Sequence, residues 1–428
     1  MTSLWSDTAA LPSFPSLEGD ITTDVLIIGG GIAGIMTAYF LHQRGIKYIL
    51  VEKNRICSGT TGNTTAKITF QHGLIYDKII KKGGIEKGRL YLEANKSAFD
   101  MFKKLCENID CDYETKDNFV YSTDDRRCIE SEMAALDKIG YEAELCDSLP
   151  LPIDIAGAVC FRNQAQFHPL KFLSHISREL NIRENTFVRE MIGNTAITNR
   201  GRIRADAVVV TTHFPFINKH GSYFLKLYQH RSYVTALENA KDVGGMYVDR
   251  CRSGLSFRNY QNLLLLGGGG HRTGKKGGNW KELMHFAREK YPNSREVYHW
   301  AAQDCMSLDG QPYIGHYSNR TAKLYTASGF NKWGMTGSML SAMLLSDMVT
   351  DRQNKFSHVF SPSRCILTSQ LFVNALESAA GLLTISNKRC PHLGCALKWN
   401  KAEHSWDCPC HGSRFDEDGK VLDNPANG

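Results

Sequence analysis

The chain has 428 residues, enough for two or three domains. Its 42% hydrophobic and 22% charged residues exclude a disordered, fibrous or coiled-coil protein, and no apolar run approaches the roughly 20 residues of a membrane-spanning helix. A net charge of +7, from 51 basic and 44 acidic residues, is spread without a Lys/Arg block dense enough for nucleic acid; Met1 to Asp20 shows no basic stretch followed by an apolar one, so a cytoplasmic location is expected.

Asp24 to Gly30 (DVLIIGG) is a short apolar, β-branched run that suits a strand buried on both faces of a parallel sheet. Gly29-Gly30-Gly31-Ile32-Ala33-Gly34 follows as G-x-G-x-x-G. Next comes a helical pattern with Ile35, Tyr39, Phe40 and Leu41 available for one face and Gly45 as its stop. Lys47 to Val51 reads as a second strand, with Glu52 at its end. In such a unit Gly29 makes the tight turn, Gly31 admits a pyrophosphate to the backbone N–H groups, and Gly34 lets helix and strand pack closely. Glu52, 18 residues past Gly34, is placed to accept from a ribose hydroxyl. Three glycines at these offsets arise by chance roughly 0.3 times in such a chain, so the strand, helix and acid around them carry the reading. NAD and FAD both use this unit.

Gly73 to Asp117 repeats apolar residues at helical intervals, and residues 86–150 are charged and helix-rich. Ala205 to Thr212 is another buried strand. Ser232 to Leu237 and Leu263 to Gly267 alternate like antiparallel strands. Gly267 to Gly270 follows a strand, but His271 to Asn279 is too polar for the buried helix of a second dinucleotide site, so no NAD(P)H site is expected. Leu324 to Phe330 is strand-like, Gly329 to Gly334 is a turn, and Met339 to Met348 is apolar at helical spacing.

Nine of the thirteen cysteines are scattered singly from Cys57 to Cys365 and read as buried or idle thiols. The other four belong to Cys390-Pro391-His392-Leu393-Gly394-Cys395 and Cys408-Pro409-Cys410-His411-Gly412-Ser413. The pattern is C-x-H, fifteen residues, C-x2-H, which chance supplies in roughly one chain per two thousand. A zinc ribbon uses C-x2-4-C pairs instead, and a redox C-x-x-C has no need of the two histidines.

Ser58 to Thr69 (SGTTGNTTAKIT) and the late run Tyr313-Ile314-Gly315 through Leu324 to Gly337 resemble the glycine oxidase/D-amino-acid oxidase superfamily of FAD enzymes. The resemblance implies an α/β Rossmann-like FAD domain with an antiparallel substrate sheet. It assigns cofactor binding to Gly29, Gly31, Ile32, Ala33, Gly34, Glu52, Lys53, Thr60, Thr61, Thr64, Thr65, Ala66, Val188, Thr211, Gly329, Gly334, Met335 and Thr336. It also points to Lys67 beside the flavin ring and to Arg258 as a fork for a substrate carboxylate; a surface lysine and a solvated arginine are the plainer readings. The C-terminal cluster resembles the Rieske motif, whose mixed ligation raises the cluster potential. That implies Cys390 and Cys408 on one iron, His392 and His411 on the other, and a Cys395–Cys410 disulfide. Ser413 matches a donor to a cluster sulfide, whereas Phe415 replaces a tyrosine donor and lowers the expected potential.

The expected domains are a discontinuous FAD domain (1–85, 151–215, 301–360), a substrate domain (86–150, 216–300) and a short β-rich Rieske domain (361–428), in which Leu371 to Leu383 reads as a helix and one strand. The expected function is oxidation of a C–N bond of a small amine or amino acid, with electrons leaving through the [2Fe-2S] cluster to an external protein or quinone acceptor. The alternatives are an electron-transfer component fed by a partner redox protein, and a sensor without turnover.

Overall fold

The computed structural model describes residues 2–251, 254–364 and 367–426; Cys365 lies outside the described residues. An eight-stranded sheet forms the nucleotide end. Its central strand, Ile21–Ile28, lies parallel to Tyr48–Val51 on one side and to Arg202–Val210 on the other, and Leu324–Ser328 follows in parallel. Tyr313–His316 closes that edge antiparallel, and Ile182–Arg183 closes the opposite one. The strand interior at Val25 to Ile28 is buried throughout, as its unbroken apolar run requires. Helices Ile32–Gln43 and Gly334–Val349 cover one face. Both are apolar nearly all round because they are sandwiched rather than half-exposed.

A nine-stranded sheet stands beside it, in the order 295–307, 227–238, 263–272, 256–260, 246–249, 114–122, 157–166 and 67–68, with 144–146 paired to 157–166. This sheet draws strands from several of the expected segments. Gly157–Gln166, Lys67–Ile68 and the end of Arg295–Ser307 pair into it, although 1–85, 151–215 and 301–360 were expected to belong with the nucleotide sheet. The chain returns to the nucleotide sheet only at Ile182–Arg183. Tyr76–Cys106 is helical as the spacing predicts, with Gly84 at φ 85° breaking it into two helices. The polar stretch after Leu263–Arg272 gives way to a surface helix, Asn279–Lys290.

The C-terminal lobe is a four-stranded antiparallel sheet, Lys398–Asn400, Ser405–Asp407, Arg414–Phe415 and Val421–Asp423. The helix expected within 371–383 is Ser369–Leu383. In place of the strand expected there, a single bridge joins Arg389 to Ala396. The lobe's own apolar core is Leu397, Phe415, Ala426 and the four clustered cysteines, too little to stand alone. It is bolted to the rest by charge. Arg231, on a substrate-sheet strand, meets Glu403 through both carboxylate oxygens, and Arg414 reaches Glu403 (2.8 Å), Asp407 (3.0 Å) and Asp423 (3.0 Å).

Candidate functional site

One cavity of about 1170 Å³ runs from the glycine-rich turn to the C-terminal lobe. At the turn, Gly29 has φ +114°, and a Cβ there would stand 2.8 Å from the Thr211 carbonyl oxygen; a Cβ on Gly34 would stand 1.9 Å from the Gly29 carbonyl oxygen. Only glycine permits this closeness. Glu52 accepts from the Gly30 N–H (2.7 Å) and the Asn54 N–H (3.0 Å), and burial raises its carboxyl above the ordinary value. Thr61 Oγ1 accepts from the Ile32 N–H (3.1 Å) at the helix start, and the Thr211 hydroxyl donates to the Ile28 carbonyl (3.0 Å).

Gly29, Gly31, Ile32, Ala33, Glu52, Lys53, Thr60, Thr61, Thr64, Thr65, Lys67, Val188, Thr211, Gly334 and Met335 line the cavity. Gly34, Ala66, Gly329 and Thr336 stand behind its wall and shape it. Thr336 donates to the Thr69 carbonyl (2.6 Å), and the Ala66 N–H donates to Thr64 Oγ1 (3.0 Å). Lys67 projects from the second sheet's edge strand. Burial, then Arg258 and Lys332, push its ammonium down to about 7.

Arg258 is fully buried, which excludes the solvated arginine of the plainer reading. It donates through Nη1 to the Ala66 carbonyl (2.9 Å) with its guanidinium 5.3 Å from the Trp5 ring, and its Nε and Nη2 are buried without a partner. Burial pushes it down to about 9.

At the other end two loops repeat one design. Gly394 N–H donates to Cys390 and Gly412 N–H to Cys408, each at 2.9 Å. These turns bring the His392 and His411 rings to 5.0 Å centroid separation, nearly perpendicular. His392 Nδ1 and both ring nitrogens of His411 are buried without a partner. Burial pushes the two imidazoles down to about 4 and about 3, which keeps them neutral. The Cys395, Cys408 and Cys410 sulfurs lie within 4.8 Å of one another. Cys395 and Cys410, the residues expected to pair, are free thiols in this structure with their sulfurs within that distance, and Cys410 donates to the Glu377 carbonyl (3.7 Å).

The FAD-dependent oxidoreductase family DAO matches residues 24–348. The chain belongs to this family. The Rieske [2Fe-2S] domain family matches residues 358–428. YhfW of Bacillus subtilis (strain 168), provisionally named a Rieske 2Fe-2S iron-sulfur protein, is 33% identical over 485 residues, covering 99% of this chain and 95% of its own. The cytochrome b6-f complex iron-sulfur subunit of Nostoc punctiforme is 58% identical over 40 residues, which is 9% of this chain and 22% of its own. Among solved structures, glycine oxidase from Geobacillus kaustophilus has a TM-score of 0.68 at 19% identity, covering 81% of this chain and 99% of its own. L-proline dehydrogenase from P. horikoshii has a TM-score of 0.67 at 17%, covering 82% and 98%. These two share the fold.

FAD and a [2Fe-2S] cluster are therefore the cofactors, and the residues present fit both. The Gly29–Gly34 turn is a cradle that a Cβ would fill, and the partnerless neutral imidazoles beside clustered thiols are the donor set of a mixed-ligand cluster.

Sequence reasoning missed the residues that join the two ends. Arg272 donates to the Pro409 (3.1 Å) and Cys410 (3.2 Å) carbonyls, and Asp423, Asn424 and Ala426 of the lobe line the cavity. Nothing local marks them, since each contact spans more than a hundred residues of sequence or is made by an ordinary polar side chain at the chain's far end.

Proposed function

We propose that the protein oxidises a C–N bond of a small amine or amino acid in the cavity and sends the electrons through the Rieske lobe to an external acceptor. The observation that carries this reading is that residues of the glycine-rich unit and of the C-terminal lobe, from Gly31 and Thr61 to Asp423 and Asn424, wall a single cavity. When bound, FAD accepts the hydride, and the iron–sulfur centre carries electrons onward singly.

The chain's residues orient, shield and move the proton. Lys67 Nζ, held near neutrality, takes the proton that a substrate ammonium must lose before its C–N bond is oxidised, or attracts a substrate carboxylate while charged. Gly31 and the start of the Ile32–Gln43 helix offer N–H groups to the pyrophosphate. In this proposal Cys390, His392, Cys408 and His411 would hold the cluster, and a Cys395–Cys410 disulfide would tie its two loops together.

The test is an anaerobic visible spectrum of the holoprotein before and after a panel of amino acids and amines. Bleaching of the flavin bands followed by the broader iron–sulfur absorbance supports the reading. A spectrum showing both cofactors that no compound changes overturns it in favour of an electron-transfer component.

A further inference from the structure

The Ser369–Leu383 helix is amphipathic the wrong way round for a domain in water. Its inward side is polar. Asn374 accepts from Arg272 (2.9 Å) and donates to the Leu225 carbonyl (3.2 Å), Glu377 pairs with Lys275 (2.7 Å), and Gly381 lies so close that a Cβ would stand 2.5 Å from Cys410 Sγ. Its outward side is apolar. Phe372 (66%), Leu376 (71%) and Leu383 (83%) stand exposed, flanked by Leu367 (72%) and Ile385 (97%). Eight of the thirteen large apolar side chains exposed among the described residues fall between Leu367 and Leu393. Soluble surfaces do not concentrate them so.

The patch reaches the cluster loops. Arg389 bonds the Leu382 (3.3 Å) and Gly394 (2.7 Å) carbonyls, and exposed Leu393 follows His392, which is itself half-buried while His411 is covered. Within this stretch of the chain the exposed charge has one sign. Between 367 and 401 the single acidic residue is Glu377, already neutralised by Lys275, whereas Lys388, Arg389, Lys398 and Lys401 are exposed. A second copy docked symmetrically would set these cations against their own counterparts. A bilayer surface bearing anionic lipids complements both the apolar side chains and the cationic rim.

We infer that the outer face of the Ser369–Leu383 helix, with Leu393 and the cationic rim, is a docking surface for an anionic lipid bilayer, which it meets in the plane of the headgroups. The helix lies on the membrane without crossing it. Only the purpose of the contact, delivery of electrons to an acceptor dissolved in the bilayer, rests on the proposed function.

Flotation of the holoprotein with phosphatidylcholine vesicles, with and without phosphatidylglycerol, tests this. The expected result is co-flotation with the anionic vesicles. Binding falls about tenfold or more in a Leu376→Ser/Leu383→Ser double variant and in a Lys388→Glu/Lys398→Glu double variant, with flavin and iron contents unchanged. Holoprotein left in the bulk at low salt overturns the proposal, as does equal binding to neutral vesicles. A dimer seen by light scattering that the leucine double variant dissolves, with no vesicle binding, overturns it in favour of self-association. Flotation needs no substrate, so a protein that floats but oxidises no amine leaves this inference standing and removes the other reading.

Discussion

The Gln303 side-chain N–H donates to the Gly412 carbonyl at 2.8 Å, so a residue of the cavity wall holds the peptide next to His411. The same glutamine accepts from the Thr273 hydroxyl (3.0 Å), and its own carbonyl accepts from Thr60 (3.1 Å). Gly412 is at φ +82°, and a Cβ there would stand 2.2 Å from Gln229 Cγ. Gln303→Leu strands a buried carbonyl and is expected to cost about 1–3 kcal/mol. Denaturant titration reads that loss, and the visible spectrum should change in the cluster bands while the flavin bands hold. An unchanged cluster spectrum would remove the coupling role.

Gly34→Ala places a methyl group against a backbone oxygen that cannot move without opening the nucleotide turn. Overpacking of about 1–3 kcal/mol follows, borne by the very segment that holds FAD. The expected outcome is protein purified with well below one flavin per chain, read from the ratio of flavin to protein absorbance. Full flavin content would sink the assignment of the turn.

His411→Ala is expected to abolish the EPR signal of the reduced [2Fe-2S] centre while leaving flavin content intact, because His411 belongs to the C-terminal lobe and packs against Phe214 and Phe224, away from the Gly29–Gly34 turn. Cys395→Ser should retain the signal but lower its resistance to reductant and heat. A cluster lost equally in both variants would contradict the proposed division between ligands and disulfide.

Lys67 makes stability depend on pH with a definite sign. Its folded-state value of about 7 lies below its unfolded value, so the unfolded chain binds more protons between the two. Stability contributed at this site is therefore poorest below about pH 7 and rises as the pH climbs toward the unfolded value. In the Lys67→Met variant, thermal midpoints measured across pH 6 to 9, an interval chosen to span roughly that value, should lose this part of the rise. Parallel profiles for the two proteins would show that Lys67 titrates normally.

Burial by itself would raise the Glu403 carboxyl, but Arg231 and Arg414 outweigh it and hold it below the usual range. Its contribution is thus present at neutral pH and lost in acid, as pH falls through the lowered value. Glu403→Gln leaves two buried guanidinium groups undercompensated, a loss of about 3–5 kcal/mol. Limited proteolysis should release the C-terminal lobe from the variant under conditions where the native chain resists.

Much of the fold was legible because its signals are local. Val25 to Ile28 could only be a two-sided buried strand, and the spacing of Cys390, His392, Cys408 and His411 needs no neighbours to be read. Sheet membership was not, because it is decided by partners. Lys67–Ile68 and Gly157–Gln166 pair with each other across about a hundred residues, and no pattern within either strand says so. The burial of Arg258 was hidden for a similar reason, since its neighbours Trp5 and Ala66 are distant in sequence.

The small size of the C-terminal lobe has a kinetic meaning. With a few apolar side chains of its own and an ion network shared with the nine-stranded sheet, the lobe is held to the rest of the chain at several points. Moving it away from the cavity requires breaking the Arg231–Glu403 pair together with the Gln303–Gly412 and Arg272–Pro409 bonds, so its opening is expected to be slow.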